Sequence, residues 1–197
     1  MSDRAYEIFQ RLQSAAAVRA LVGACEDSHF DCKEWPTKDE DAQKMMAKAA
    51  CGLTNAEGGV LVIGMRAKSA RKDDPDVVTG EAPVADTSQV KSKALNLIGE
   101  LVEPRIVGIQ VEEISESIGA KSGFVLVYVP HSLGAPRRSR KDWKFYQRIG
   151  SGTFPMEYFQ IEQMFGRGAR PKLELFLEQH RITRTGHDNA MKRIFRL

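Results

Sequence analysis

The chain has 197 residues, three cysteines and a formal net charge of +3 at pH 7. That length suits one domain with a short appendage, and such a domain can bury a core without metal or disulfide staples. The cysteine spacings match neither zinc sites nor thiol redox motifs, and no apolar run approaches the roughly 20 residues of a membrane helix. We therefore expect a soluble, cytoplasmic protein without membrane contacts.

Charge is distributed unevenly along the chain. Residues 1–130 hold 15 Lys and Arg against 20 Asp and Glu, whereas residues 131–197 hold 14 against 6. The two parts therefore carry net charges of −5 and +8. Such a separation indicates that the basic part meets a polyanion while the acidic part stays in solvent.

Periodicity and helix-ending residues predict the elements of the first half. Apolar residues at steps of three and four predict an amphipathic helix over Arg4 to Val22, which Gly23 ends. Alternation predicts a short strand over Ser28 to Trp35. A second helix with an acidic first turn is predicted over Asp39 to Asn55, and the apolar run Val60 to Gly64 predicts a buried strand.

The second half continues this interleaving of helices and strands. The polar stretch Arg66 to Ala85 predicts a long hairpin connection that carries a brief strand at Val77 and Val78. Asp86 or Ser88 is a candidate N-cap for a helix that runs to Leu101. Three further strands and a final helix are predicted over Arg105 to Ile114, Gly123 to Val129, Trp143 to Ile149 and Glu157 to Phe165.

Several connections are too short for parallel crossovers, so the pattern predicts an α+β domain with a mixed, mostly antiparallel sheet flanked by helices. We divide the chain into an N-terminal helix over residues 1–23, a main domain over 24–166 and a short basic C-terminal extension over 167–197. In the extension, Leu173, Leu175 and Leu177 alternate in the manner of a strand. Such a strand would suit pairing with another protein or with a second copy of this chain.

Glu26, Asp31 and Lys33 form the first candidate site. Strand alternation places Asp31 and Lys33 side by side on one face, and Glu26 is within reach in the preceding loop. Two converging carboxylates can hold Mg²⁺ or Mn²⁺, and a neighbouring ammonium can hold a phosphate oxygen, as phosphodiester cleavage requires. Glu26 and Asp31 are therefore candidate metal ligands, and all three residues are candidate catalytic residues. The alternative is a solvated strand face, which is the commoner origin of such a pattern.

The segment Asn55 to Gly64, NAEGGVLVIG, joins a helix directly to a buried strand. Its consecutive glycines, Gly58 and Gly59, let the backbone closely approach a neighbouring strand or a ligand. No Gly-Lys-Ser or Gly-Lys-Thr follows, because Met65 and Arg66 stand after this segment. ATP is therefore not an expected ligand.

Cations and aromatic residues are interleaved between His131 and Gly150. Six cations stand there against one acid, Asp142. The cations are Arg137, Arg138, Arg140, Lys141, Lys144 and Arg148, and the aromatic residues are Trp143, Phe145 and Tyr146. Cations neutralise phosphates and release counterions, and aromatic rings stack on exposed bases, so the mixture suits a nucleic-acid strand. For the rings we expect the alternative, that they enter the core, whereas self-repulsion among the arginines favours an anionic partner.

These segments, in this order, resemble the Schlafen AlbA-type domain family, also called the divergent AAA or AlbA-like DNA-binding family. EDSHFDCK resembles its opening motif of two acids and a lysine, and LTNAEGGVLVIG resembles its Asn-x-x-Gly-Gly turn and apolar strand. VEPRI, FVLVYVPHS and YQRIGSGTF resemble three later motifs. The resemblance covers about Cys25 to Gly166, and five motifs in register are more specific than any one of them.

The resemblance implies an α/β fold that handles DNA or RNA, and in some members a metal-dependent endoribonuclease built on three acids. It assigns the first two acids to Glu26 and Asp31, and the basic partner to Lys33. The third acid is expected just after the glycine of the apolar strand, where this chain has Arg66 and Ala67. Losing one of three ligands weakens a magnesium site, since two carboxylates must then supply both charge and geometry.

The leading hypothesis is a domain that binds DNA or RNA by contacting the phosphate backbone with the six cations of the 131–150 stretch, assisted by Lys33. The second is a Mg²⁺- or Mn²⁺-dependent endoribonuclease with an incomplete acidic triad, which uses Glu26, Asp31 and an unidentified third ligand. Asp73 and Asp74 of the long hairpin are candidates for that ligand, although nothing in the sequence requires either of them. The third is a protein-interaction or dimerisation module that forms a homo-oligomer.

Overall fold

The computed structural model of the chain describes residues 3–69, 71, 74–132 and 134–166. The expected basic extension over residues 167–197, with its alternating leucines, lies outside the described residues. Asp73, one of the two candidates for a third acidic ligand, also lies outside them.

A four-stranded mixed sheet forms the centre of the fold, in the order β1-β2-β7-β6. Its strands are β1 (Phe30–Lys33), β2 (Gly59–Ile63), β6 (Gln110–Ser115) and β7 (Gly123–Val129). β1 and β2 run parallel, whereas β2 with β7 and β7 with β6 are antiparallel. Every residue of β2 and β7 is buried, because elements cover both faces of the sheet. The mixed, mostly antiparallel α+β fold predicted from the sequence is confirmed.

Helices cover both faces of this sheet. On one face, α3 (Asp39–Asn55) and α4 (Thr87–Leu101) pack against Leu61 and Ile63 of β2. On the other face, α1 (Arg4–Arg11) and α2 (Ala15–Arg19) pack on the side where Val60 and Val62 lie. Alternate side chains of β2 enter two different apolar clusters, so every position of this strand is apolar.

The two long helices have the predicted bounds, and the N-terminal one does not. α3 spans the predicted residues, and α4 starts one residue after its N-cap Asp86, whose side chain accepts the Gln89 N–H. The single helix predicted over Arg4 to Val22 is two helices instead. The first helix ends at Arg11, with Leu12 as its C-cap. Ser14 then starts the second helix, because its backbone is extended and its side chain accepts the Ala17 N–H.

Three two-stranded ribbons surround the central sheet. They pair β3 (Met65–Lys68) with β4 (Val77–Glu81), β5 (Val102–Glu103) with β8 (Arg138–Ser139), and β9 (Tyr146–Ile149) with β10 (Gly152–Pro155). The chain then forms α5 (Tyr158–Gly166). The sequence did not predict β3, β5, β8 or β10. β5 and β8 have only two residues each, too few for alternation to identify. β10 contains Gly152 and Pro155, residue types that are uncommon in strands. Among the described residues, no helix has the length and hydropathy required to cross a membrane.

Candidate functional site

The polar face of β1 is buried. The side chain of Asp31 is 3% exposed and that of Glu26 is 0% exposed, whereas that of Lys33 is 37% exposed. The solvated strand face that the sequence left open is therefore not what forms here. Arg148 from β9 reaches this face, and its own side chain is only 2% exposed. The structure thus brings Glu26, Asp31 and Lys33 together, as predicted, and adds Arg148 to them.

Two cations hold the two carboxylates of this cluster. Arg148 places Nη1 3.0 Å from Asp31 Oδ1 and Nη2 3.2 Å from Glu26 Oε2. Lys33 Nζ lies 2.7 Å from Asp31 Oδ1 and 3.8 Å from Glu26 Oε1. We call these four residues the ion cluster. Two positive and two negative side chains give it no net charge when all four are ionised.

Backbone groups fix the ion cluster to the start of β1. The N–H of Cys32 donates to Glu26 Oε1 at 2.8 Å. Arg148 donates from Nε to the Asp27 carbonyl at 2.7 Å and from Nη2 to the Phe30 carbonyl at 2.8 Å. The guanidinium therefore bonds to two carboxylates and two carbonyls, so it joins the β9–β10 hairpin to the strand and the loop that precedes it.

Burial changes the proton affinity of the ion cluster. Burial, followed by the neighbouring Asp31 carboxylate, raises the pKa of Glu26 to about 7, although Lys33 and the Cys32 N–H act in the opposite direction. For Lys33, burial alone would lower the pKa, but Asp31 and Glu26 outweigh it and the net pKa is raised. Lys33 therefore stays charged at neutral pH, and Glu26 is the member that titrates near neutrality.

We predict that Glu26 makes stability depend on pH in a defined direction. Its folded-state pKa of about 7 exceeds the ordinary value of 4.5, so between these values the native state binds a proton that the unfolded state lacks. The free energy of unfolding should therefore fall as pH rises through this window, by up to about 3 kcal/mol from this group. Urea denaturation of the wild type and of Glu26→Gln at several pH values measures the effect as a difference. A difference that stays constant, or that grows in favour of the wild type with rising pH, contradicts the prediction.

The donor set does not fit the divalent metal that the sequence suggested for Glu26 and Asp31. Both carboxylates already contact two cations each. Mg²⁺ needs six oxygen ligands, usually several of them waters, and carboxylates this deeply buried leave no room for such waters. Across the described part of the chain, no three His, Cys, Asp or Glu side chains lie close enough to share a metal. Asp74 is exposed and belongs to no such group.

Asn55, at the end of α3, organises the start of the basic stretch. Its side-chain oxygen accepts the Arg137 N–H at 2.7 Å, and its amide donates to the carbonyls of Arg137 and Tyr146 at 2.7 and 2.8 Å. Gly58 has a φ of 77°, and a Cβ there would lie 2.7 Å from the His131 nitrogen. The close backbone approach expected at this glycine pair is therefore made to the chain that follows β7.

A tight turn after β8 displays most of the predicted cations. The Ser139 N–H donates to the Lys144 carbonyl at 2.9 Å, and the Arg140 N–H donates to the Leu101 carbonyl at 2.7 Å, which ties the turn to the end of α4. We call residues 138–144 the basic turn. Arg140 and Lys144 are exposed, and Arg138 and Lys141 are half-exposed. The predicted strand over Trp143 to Ile149 begins only at Tyr146, because the residues before it form this turn.

Trp143 is the exposed aromatic residue of the basic turn. Its side chain is 58% exposed and its backbone has a φ of 61°, which directs the residue away from the strand path. The Arg138 guanidinium lies 4.8 Å from the centre of its ring. The expectation that the rings enter the core holds for Tyr146, which is buried, and fails for Trp143.

Few acids neutralise the basic turn. Arg138 pairs with Glu103 at 3.3 Å, and in the described ranges no carboxylate lies within the 4.0 Å ion-pair distance of the other three cations. Asp142 accepts a hydrogen bond from the Tyr146 hydroxyl. Burial acts to raise the pKa of Asp142, but hydrogen bonds from Tyr146 and Ser139 and the nearby Lys144 lower this pKa overall. Asp142 is therefore ionised and partly engaged within the turn.

The other two predicted phosphate contacts lie elsewhere. Arg148 is buried in the ion cluster, and Arg137 is half-buried and donates from Nη1 to the Ala135 carbonyl of its own loop. Alternation along β9, which sends Tyr146 and Arg148 inward together, is the sequence signal that could have placed Arg148. Sequence reasoning also missed Lys48, an exposed residue of α3 that lies 5.7 Å from the centre of the Tyr146 ring.

Comparison with known proteins identifies a family. The pattern of the family described as Schlafen, AlbA_2 matches residues 26–157, two thirds of the chain. No curated protein sequence matches the chain. A similar solved structure is the DIP2311 protein from Corynebacterium diphtheriae, with 13% identity, a TM-score of 0.45 and coverage of 82% of this chain. The chain spans only 29% of the length of that protein.

A second similar structure is the N-terminal domain of the Putative ATP-dependent DNA Helicase RecG-related Protein from Nitrosomonas europaea. Its sequence is 16% identical to this chain and its TM-score is 0.45. The alignment covers 80% of this chain and 94% of that domain.

Proposed function

Because the chain belongs to the Schlafen AlbA_2 family, we propose that it is a nucleic-acid-binding domain that contacts the phosphate backbone through its basic turn. The observation that carries the proposal is the composition of residues 138–144: four cations on seven residues, with the exposed ring of Trp143 among them. Cations of this kind neutralise phosphates, and an exposed indole offers a surface on which an unpaired base stacks.

The basic turn differs from an ordinary solvated surface because three of its four cations form no ion pair with a described carboxylate. Arg140, Lys141 and Lys144 lie close together in one turn and repel one another, and the single carboxylate of Asp142 offsets only part of this repulsion. Lys141 donates from Nζ to Gln43 Oε1 at 2.8 Å, which is a neutral partner, and no described carboxylate lies within 4.0 Å of this ammonium. Lys48 adds a further exposed cation on the helix that borders the turn. A phosphate chain supplies the spaced negative charges that relieve this repulsion.

Trp143 favours a strand with unpaired bases over an intact duplex. Base stacking requires that the ring be exposed and that the base be free of its partner, and the first condition is met. Arg138 lies against the ring, so a stacked base would sit beside a guanidinium that can contact its phosphate. We therefore propose single-stranded DNA or RNA, or an unpaired loop, as the ligand.

A salt titration tests the proposal. Fluorescence anisotropy of labelled single-stranded DNA and RNA oligonucleotides gives the affinity at increasing salt concentration. Each phosphate contact with a single strand should contribute about −0.7 to the slope of log K against log salt, so four cations predict a slope of up to about −3. A slope near zero, or no binding at low salt, contradicts phosphate contact by the basic turn.

A further inference from the structure

Arg148 and Lys33 both bridge the carboxylates of Glu26 and Asp31. Each of them contacts both Glu26 and Asp31, at distances from 2.7 to 3.8 Å. We propose that the Arg148 guanidinium and the Lys33 ammonium occupy the place of a divalent cation, so that the ion cluster is a metal-independent joint between β1 and the β9–β10 hairpin. When both carboxylates are ionised, the two cations supply the two positive charges that Mg²⁺ or Mn²⁺ would bring.

Charge balance opposes the entry of a metal into the intact cluster. A divalent cation added to the four residues would leave two positive charges without partners. The carboxylates of Glu26 and Asp31 are 0% and 3% exposed, so solvent would not screen that excess. Uncompensated charge at a buried position is strongly unfavourable. A metal could therefore enter only if Arg148 left.

Displacement of Arg148 is opposed by its bonds to the backbone. Beside its two ion pairs, the guanidinium donates to the carbonyls of Asp27 and Phe30. Its departure would break both of these hydrogen bonds and remove this contact between the hairpin and β1. Lys33 is different, because its side chain is 37% exposed and can reach solvent. Arg148 is therefore the residue that closes the site, and Lys33 covers its outer side.

Opening the site by Arg148→Ala should create a metal site that the wild type lacks. The substitution removes the guanidinium, frees space for water ligands and leaves the two carboxylates without their buried cation. Mn²⁺ should then bind and raise the melting temperature of Arg148→Ala by about 3 to 6 °C at tenfold excess over its dissociation constant. The melting temperature of the wild type should be the same in Mn²⁺ and in a chelator.

Two control variants show which groups hold the ion. Arg148→Ala combined with Asp31→Asn should lose the Mn²⁺ stabilisation, because one carboxylate is removed. Lys33→Met should, like the wild type, show the same melting temperature in Mn²⁺ and in a chelator, since Arg148 still closes the site. Failure of Mn²⁺ to stabilise a folded Arg148→Ala protein would overturn the proposal.

A direct measurement on the wild type keeps the proposal testable even if Arg148→Ala does not fold. Electron paramagnetic resonance of free Mn²⁺ reports how much of the ion the protein takes up. The proposal predicts no stoichiometric uptake by the wild type. Uptake of one Mn²⁺ per chain that disappears in Asp31→Asn would show that the cluster accepts a metal with Arg148 present, and would overturn the proposal.

Discussion

Replacing Arg148 with methionine is expected to lower the free energy of unfolding by about 3 to 5 kcal/mol. The substitution keeps much of the side-chain volume but removes the charge that two buried carboxylates share. It also removes the hydrogen bonds that Arg148 donates to the carbonyls of Asp27 and Phe30. Since small domains have total stabilities of about 5 to 15 kcal/mol, the loss is large enough to measure and leaves a folded population. Urea denaturation at about pH 8, where Glu26 is ionised, gives the value.

Arg138→Met is the matched control for this experiment. Arg138 is likewise paired with a carboxylate, that of Glu103, but the side chains of Arg138 and Glu103 are 38% and 47% exposed. Exposed pairs contribute about 0 to 1 kcal/mol, so this variant should be nearly as stable as the wild type. Equal losses for the two substitutions would show that Arg148 has no special role in holding the hairpin.

Reversing the charge of the basic turn should abolish most nucleic-acid binding. In the triple variant Arg140→Glu, Lys141→Glu and Lys144→Glu, three phosphate contacts are lost and replaced by repulsion. If each contact is worth roughly 1 kcal/mol, affinity should fall by about 100-fold or more at low salt. The fold should be little affected, since these side chains lie at the surface and none is in an ion pair with a described carboxylate. Anisotropy of a labelled oligonucleotide measures the loss, and circular dichroism checks the fold.

A second triple variant controls for overall charge. Lys68→Glu, Arg71→Glu and Lys121→Glu make the same change in net charge at exposed positions outside the basic turn. If binding depends on the turn, this variant should retain most of its affinity. Equal losses in both triple variants would mean that net charge, and not the turn, governs binding.

The elements that the sequence predicted well are those with long, regular patterns. α3 shows its apolar period over 17 residues and has an acidic first turn, so both of its ends could be placed. β2 and β7 are uninterrupted apolar runs, which is typical of strands buried on both faces. β8 forms by pairing with β5, which is distant in sequence, and local patterns do not report such pairing. β10 pairs with the adjacent β9, but its Gly152 and Pro155 are residue types that are uncommon in strands.

Only part of the candidate site could be predicted from the sequence, because local patterns group residues that are close in sequence and miss those that only the fold brings together. Glu26, Asp31 and Lys33 lie within eight residues, so strand alternation could pair Asp31 with Lys33 and closeness in sequence could add Glu26. Arg148 joins Glu26 across 122 positions of sequence, and only the fold brings the two together. Trp143 lies in the turn before β9 with a positive φ, which local alternation does not report. Charge counting found the basic stretch but could not tell the buried cations from the exposed ones.

A nuclear magnetic resonance titration tests phosphate contact by the basic turn most directly. A single-stranded oligonucleotide is added to ¹⁵N-labelled protein at low salt, and the backbone amides and the two tryptophan indoles are followed. The account predicts that the largest shifts fall on the amides of residues 138–144 and on the indole of Trp143, while Trp35 stays unchanged and added salt reverses the shifts. Shifts that avoid the basic turn and cluster on another surface would contradict it.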